Sequence, residues 1–177
     1  TVNYPGARRF GSVGKPLPGV KIEIDNSVQG SKEEDGEIVA YGENIMLGYH
    51  NLPEKTKETI TPDGGLRTGD LGHLDSEGYL YITGRVKEQY KLDIGEYIAP
   101  APLEETLKLS AYIDQVMLYG FNRPNNVALI VAAMPAVEQY AQSNGISGSG
   151  ENLLKESSIR DLFREELSVY GKDFKSF

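Results

Sequence analysis

The sequence predicts an α+β protein whose strands are concentrated in its first half. Runs of alternating polar and apolar residues, the pattern of half-buried strands, recur before residue 84. Beyond that point helical segments flank two strand-like runs, and the chain contains no internal repeat. We therefore expect an antiparallel β region followed by a mixed region of helices and strands.

The first 41 residues predict a loop followed by a pair of strands. Residues 1–19 are rich in glycine and proline, and we expect their order to depend on packing elsewhere. Residues 20–25 alternate with period two, and residues 37–41 do so less strictly after a polar loop. This pattern predicts an antiparallel pair.

A short helix and a second hairpin are predicted next. Residues 53–60 begin with proline and carry a charged face, which is typical of a short surface helix. The strand-like runs at 71–75 and 79–83 are joined by a turn with an early acid and a final glycine. Gly84 and Arg85 come where this hairpin ends.

The second half predicts alternating helices and strands. They are a helix at 101–109, strands at 115–119 and 127–134, and helices at 136–143 and 151–170. A glycine- and serine-rich stretch at 145–150 predicts a flexible loop before the last helix.

Composition excludes several functional classes. The formal net charge is −8, and neither half is a basic surface for nucleic acid. The absence of cysteine removes disulfides, thiolate zinc sites and thiol nucleophiles, and it fits a cytoplasmic protein. His50 and His73 are far apart and have no carboxylate at a meaningful spacing, so we predict neither a metal site nor a histidine base.

The sequence predicts no transmembrane segment. No apolar run approaches the roughly 20 residues of a membrane-spanning helix, and the N-terminus lacks a signal pattern. Peripheral membrane association stays open. The chain begins at Thr1, inside turn-rich sequence, which predicts a piece of a longer protein.

Residues 66–104 contain the side chains best suited to chemistry. One acid, one arginine and two lysines lie near glycines there: Asp70, Arg85, Lys87 and Lys91. Carboxylates accept hydrogen bonds from hydroxyls, while guanidinium and ammonium groups donate to anions. Such a set can grip the ribose and the phosphates of a nucleotide.

Several motifs in this region follow one another in a specific order. They are Arg67-Thr68-Gly69-Asp70-Leu71, Gly84-Arg85, Lys91, Gly95, Ile98, Pro100 and Glu104, with GENIMLGY upstream from Gly42. In order and spacing they resemble the adenylate-forming superfamily of acyl-CoA synthetases, luciferases and nonribosomal-peptide adenylation domains. The resemblance implies that 1–84 ends a large AMP-binding domain as an antiparallel β subdomain. It implies that 85–177 is a small mobile α+β domain, truncated before its late catalytic lysine.

A narrower resemblance concerns which carboxylic acid is activated and which thiol accepts the acyl group. Gly-Glu-Tyr-Ile-Ala-Pro, starting at Gly95, is similar to long-chain fatty acid–CoA ligases. It implies a parent enzyme that makes an acyl-adenylate from a fatty acid and ATP, and then acyl-CoA from CoA. The family's phosphate loop is missing upstream, so the chain alone is expected to be inactive. Magnesium would neutralise the triphosphate through a ligand outside this chain.

The resemblance assigns roles around the predicted hairpin. Asp70, held by the Thr68-Gly69 turn, would accept from the ribose hydroxyls, and Arg85 would be a second ribose or phosphate contact. Their alternatives are an ordinary loop aspartate and a surface ion pair. Lys87 matches the hinge about which the small domain rotates, and its alternative is a solvated lysine.

Two further roles fall on the next loop. By resemblance Lys91 is catalytic in the thioester step, and Gly95 lines the CoA passage, where glycine allows close backbone approach. Lys91 could instead pair with Glu88 or Asp93.

Two other functions stay open. One is adenylation with a different acid or with a carrier-protein acceptor. The other is a noncatalytic nucleotide-binding module on the same fold.

Overall fold

The computed structural model describes residues 1–29, 31 and 34–172, and it confirms an α+β fold with antiparallel sheets. The chain divides into two compact units, Thr1–Gln89 and Tyr90–Phe177. The predicted domain boundary lies slightly earlier, after residue 84. None of the helices in the described ranges has the length and apolar character needed to cross a membrane.

The first unit contains a four-stranded sheet in the order β1-β2-β3-β4, antiparallel throughout. Its strands are β1 (Lys21–Asp25), β2 (Gly36–Tyr41), β3 (Leu66–Leu74) and β4 (Leu80–Arg85). The predicted first pair and the predicted second hairpin are therefore confirmed. Apolar residues of β2, β3 and β4 are buried, and Ile38, Val39, Leu71 and Leu80 form part of the core.

The lead-in is ordered by contacts with this sheet. Val13 donates a backbone hydrogen bond to the Leu80 carbonyl at 2.9 Å, and Gly14 bridges to Leu80. A Cβ on Gly14 would lie 2.0 Å from the backbone of Val2, so the loop needs glycine there. Helix α1 (Pro53–Thr59) has no buried residue, as expected for a surface helix.

The described residues of the second unit form two small sheets and three α-helices. Its strands are β5 (Tyr90–Lys91), β6 (Tyr97–Ile98), β7 (Ile113–Tyr119) and β8 (Val127–Ala132), and its helices are α2 (Pro100–Leu107), α3 (Met134–Ser143) and α4 (Ser157–Tyr170). β5 pairs with β6 and β7 with β8, both antiparallel. The prediction missed β5 and β6, because two residues are too few to show a period.

Glu104 connects α2 to β7. One of its carboxylate oxygens, Oε1, accepts a hydrogen bond from the Leu118 amide at 2.8 Å. This contact gives Glu104 a structural role in the second unit.

The prediction of one helix over 151–170 is wrong. A 3-10 helix (Gly150–Lys155) comes first, Glu156 is extended, and α4 follows. Leu153 and Ile159 both belong to the buried cluster formed with Val137 and Ala141. The chain bends at Glu156 because a straight helix does not bring positions six apart onto one face.

Candidate functional site

Asp70 and Arg85 are cross-strand neighbours at the end of the β3–β4 hairpin. The register pairs them directly, and Arg85 Nε lies 3.0 Å from Asp70 Oδ1. The Asp70 side chain is 26% exposed and that of Arg85 is 63% exposed. Arg85 thus forms the ion pair that was expected as the alternative to its nucleotide contact. Its partner in that pair is Asp70, which is the other predicted nucleotide ligand.

A bulge in β3 presents Asp70. β2 and β3 change register between Glu37 and Val39, and Gly69 adopts a positive φ of 75°. Thr68 Oγ1 donates to the Ile38 carbonyl at 2.8 Å and accepts from the Asp70 amide at 3.1 Å. The predicted Thr68-Gly69 turn is therefore part of β3, because the strand begins earlier than expected, at Leu66.

A partly buried charge network lies beside this bulge. Arg67 Nη1 donates to Glu37 Oε2 at 2.5 Å, and Arg67 Nη2 lies 2.8 Å from Asp25 Oδ2. Hydrogen bonds to Glu37, and then to Asp25, raise the pKa of the Arg67 guanidinium above its ordinary value. Hydrogen bonds from Ser27, and then from Arg67, lower the pKa of Asp25.

Sequence reasoning missed Glu37 as a site residue. Its Oε1 accepts from the Gly69 amide at 3.2 Å, and the residue is 6% exposed. A single acid in the apolar run of β2 was the available signal, since a buried acid needs partners.

Lys87 lies in the 3-10 turn Val86–Glu88, which follows β4 and contains no buried residue. Its side chain is exposed. The predicted hinge position is therefore a short irregular segment close to the division between the two units.

Lys91 and Gly95 lie in the β5–β6 hairpin of the second unit. Gly95 has a φ of 90° and donates to the Leu92 carbonyl at 3.0 Å, which closes the turn. Lys91 Nζ lies 5.5 Å from the centre of the Tyr97 ring, its cross-strand neighbour. Within the described ranges no ion pair joins Lys91 to Glu88 or Asp93, so the alternative pairing is absent there.

Tyr90 anchors the start of the same hairpin. Its hydroxyl donates to Asn126 Oδ1 at 2.7 Å. Burial, followed by repulsion from Glu104, raises the pKa of the Tyr90 phenol to about 12.

The expectation that neither histidine has a neighbouring carboxylate is wrong for His73. Its Nδ1 lies 2.7 Å from Asp35 Oδ1, and its ring stacks on Tyr81. Asp35 directly precedes β2 and lies far from His73 in sequence, so local spacing could not reveal the pair. His50 contacts Asn51.

The described residues form one pocket of note and no metal centre. Among them, no group of three or more histidine or acidic side chains could hold a metal ion. A pocket of about 350 Å³ lies beside α3 and is lined by residues such as Tyr112, Gln139 and Tyr140. It contains none of the predicted site residues.

Comparison with known proteins identifies the family. No family model matches the chain. It is 34% identical to mouse long-chain-fatty-acid–CoA ligase 5 over the whole chain and 27% of that protein. It is 36% identical to the putative fatty-acid–CoA ligase fadD11 of Mycobacterium tuberculosis, over 90% of the chain and 27% of the relative. The chain belongs to the adenylate-forming superfamily.

A solved structure agrees with this assignment. The AMP complex of O-succinylbenzoate coenzyme A synthetase from Bacillus subtilis is 29% identical, with a TM-score of 0.59. That match covers 76% of this chain and 29% of the synthetase. The chain spans about a quarter of the length of the ligases it matches.

Proposed function

We propose that this chain is part of an ATP-dependent fatty acid–CoA ligase and supplies its ribose-binding residues. The observation that carries the proposal is the Asp70–Arg85 pair, fixed across β3 and β4 and open to solvent. The ligase would form an acyl-adenylate and pyrophosphate, and then transfer the acyl group to the thiol of CoA. AMP leaves in the second step.

The pair has the donor and acceptor chemistry that a nucleotide needs. Only Nε of Arg85 has a partner within the described ranges, so its terminal nitrogens can donate to phosphate or ribose oxygens. The ion pair uses Oδ1 of Asp70, which leaves Oδ2 to accept from a ribose hydroxyl. ATP would therefore contact both side chains, whereas the magnesium ligand is proposed to lie outside this chain.

The second unit would serve the thioester step. Lys91 is proposed to act there, with Gly95 beside the passage for CoA and Lys87 as the hinge between domains 1–84 and 85–177. Support comes from the exposure of both lysines and from the open space around Gly95, where, among the described residues, only the Lys91 side chain comes within 4 Å of an added Cβ. We further propose a cytoplasmic enzyme, with peripheral membrane contact open.

Thioester formation tests this proposal. The complete protein is incubated with a fatty acid, ATP, magnesium and CoA, and acyl-CoA is measured. The proposal expects acyl-CoA from the complete protein and none from the 177-residue chain. Acyl-adenylate without acyl-CoA would indicate a carrier-protein acceptor. ATP binding with no reaction across a panel of acids would indicate the noncatalytic module.

A further inference from the structure

Glu37 lies on β2 opposite the bulge that carries Asp70. We propose that Glu37 is a positioning residue, whose carboxylate fixes this bulge and thereby aims Asp70 at the nucleotide. The kinetic part of this inference rests on the proposed function. Its structural part, control of the bulge, can be measured on the chain itself.

Glu37 is buried, so its carboxylate needs hydrogen-bond partners inside the protein. Its side chain is 8% exposed. Removing a carboxylate from water costs free energy unless charged or N–H partners replace the water. Both oxygens have such a partner, because Oε2 accepts from Arg67 and Oε1 accepts from the Gly69 amide.

Two consecutive amides of the bulge depend on side chains. The Gly69 amide donates to Glu37, and the Asp70 amide donates to Thr68 Oγ1. The Thr68 hydroxyl donates in turn to the Ile38 carbonyl on β2. Since these contacts fix the backbone immediately before Asp70 and at its own amide, they help to set where its carboxylate lies relative to Arg85.

A neutral amide of nearly the same size cannot replace the acid. In the E37Q variant the side chain would have one acceptor and one donor group at the two positions where Glu37 has two acceptors. If the amide oxygen faced Gly69, the NH₂ group would face the donors of Arg67. If the amide turned over, its NH₂ group would face the backbone N–H of Gly69. Either arrangement loses one hydrogen bond and places two donor groups face to face.

The test measures the KM for ATP of the complete ligase carrying E37Q, with E23Q as matched control. Glu23 lies on the adjacent strand β1 in an ion pair with Lys21. We expect E37Q to raise the KM for ATP about tenfold with a smaller change in kcat, and E23Q to change it less than about twofold. Amide resonances of Gly69 and Asp70 in the 177-residue chain should shift in E37Q and not in E23Q.

A second pair of variants keeps the test decisive if E37Q does not fold. Thr68 is exposed, so T68V should fold while losing the hydroxyl contacts, and T68S should keep them. We expect T68V to raise the KM for ATP and T68S to keep it near the wild-type value. Equal KM values for ATP in T68V and T68S would overturn the inference, as would equal values in E37Q and E23Q.

The two proposals fail in different ways. A complete protein without any ATP-dependent reaction would overturn the proposed function. The amide shifts would still decide whether Glu37 controls the bulge, and unchanged Gly69 and Asp70 resonances in E37Q would overturn that part.

Discussion

The two units hold their candidate site residues by different means. In the first unit Asp70 and Arg85 are paired on adjacent strands of a four-stranded sheet, and the buried Glu37 on β2 accepts a hydrogen bond from the bulge that precedes Asp70. In the second unit Lys91 and Gly95 lie in a hairpin whose strands have two residues each. Its turn is closed by backbone hydrogen bonds, and both residues are exposed.

The difference concerns preorganisation. A site that must bind a nucleotide in one geometry benefits from side chains fixed by buried hydrogen bonds. A loop that serves a later step can be held more lightly, since segments that move come from the less stable parts of a protein. This difference in how firmly the two sites are held agrees with the proposed order, in which adenylation precedes thioester formation.

The largest expected effect compares one glycine from each unit. A Cβ on Gly72 would lie 2.1 Å from the backbone oxygen of Tyr81, whereas a Cβ on Gly120 would meet side-chain atoms at 2.7 Å. Side chains can move aside more easily than a paired strand. We expect Gly72→Ala to lower the free energy of unfolding by about 3 kcal/mol or more and Gly120→Ala by about 1–2 kcal/mol.

Urea unfolding of the 177-residue chain, followed by resonances of each unit, checks this. Gly78→Asn is the control in the first unit, because Gly78 has a φ of 81°, no atom lies within 4 Å of an added Cβ, and asparagine tolerates positive φ. A larger loss of stability in Gly120→Ala than in Gly72→Ala would reverse the comparison.

A smaller effect is expected from substitution of Lys91 in the second unit. In the complete ligase, Lys91→Ala should slow thioester formation about tenfold, the loss of roughly one charged contact. Pyrophosphate exchange should change less than about twofold, because adenylation would use the first unit. Lys91→Arg keeps the cation near Tyr97 and should recover most of the rate. Equal loss of both partial reactions would break the assignment of steps to units.

The smallest effect concerns Tyr90 and pH. Its pKa is about 12 in the folded chain, against about 10 for an unperturbed phenol. Between these values the unfolded chain binds fewer protons than the folded one. The free energy of unfolding should therefore be unaffected by Tyr90 below about pH 10 and should fall as the pH rises from about 10 to about 12.

Urea midpoints of the 177-residue chain at about pH 9 and about pH 11 measure this slope. Tyr90→Phe should reduce the decline, while Tyr4→Phe, at a tyrosine that is 52% exposed, should leave it as in the wild type. An unchanged decline in Tyr90→Phe would show that other groups cause it.

Much of the first unit could be predicted because its strands have clear periodicity and its turns contain glycine. The extension of β3 to Leu66 could not, since glycine and charged residues hide the strand and the bulge interrupts its alternation. Glu37 was missed as part of the site for a related reason, which is that its role depends on contacts between strands. Its partners Arg67 and Gly69 come from another strand, and only strand pairing brings them together.

In the second unit the helices were predictable by type and less so by extent. The bend at Glu156 exists because Leu153 and Ile159 share one buried cluster, which is a tertiary requirement. In the first unit, the His73–Asp35 contact likewise joins residues far apart in sequence, which no local spacing encodes. The roles of Asp70, Arg85, Lys87, Lys91 and Gly95 rest on resemblance and stay predictions.

Pyrophosphate exchange by the complete ligase tests the central claim most directly. Wild type, Asp70→Ala and the control Asp63→Asn are compared with a fatty acid, ATP and magnesium; Asp63 lies in an exposed loop of the same unit and contacts Thr61 and Tyr41. We expect exchange to fall roughly a hundredfold in Asp70→Ala, since the charged hydrogen bond to the ribose and the partner that orients Arg85 are both lost, and to stay near wild type in Asp63→Asn. Exchange by Asp70→Ala at the wild-type rate would contradict a nucleotide site on this hairpin.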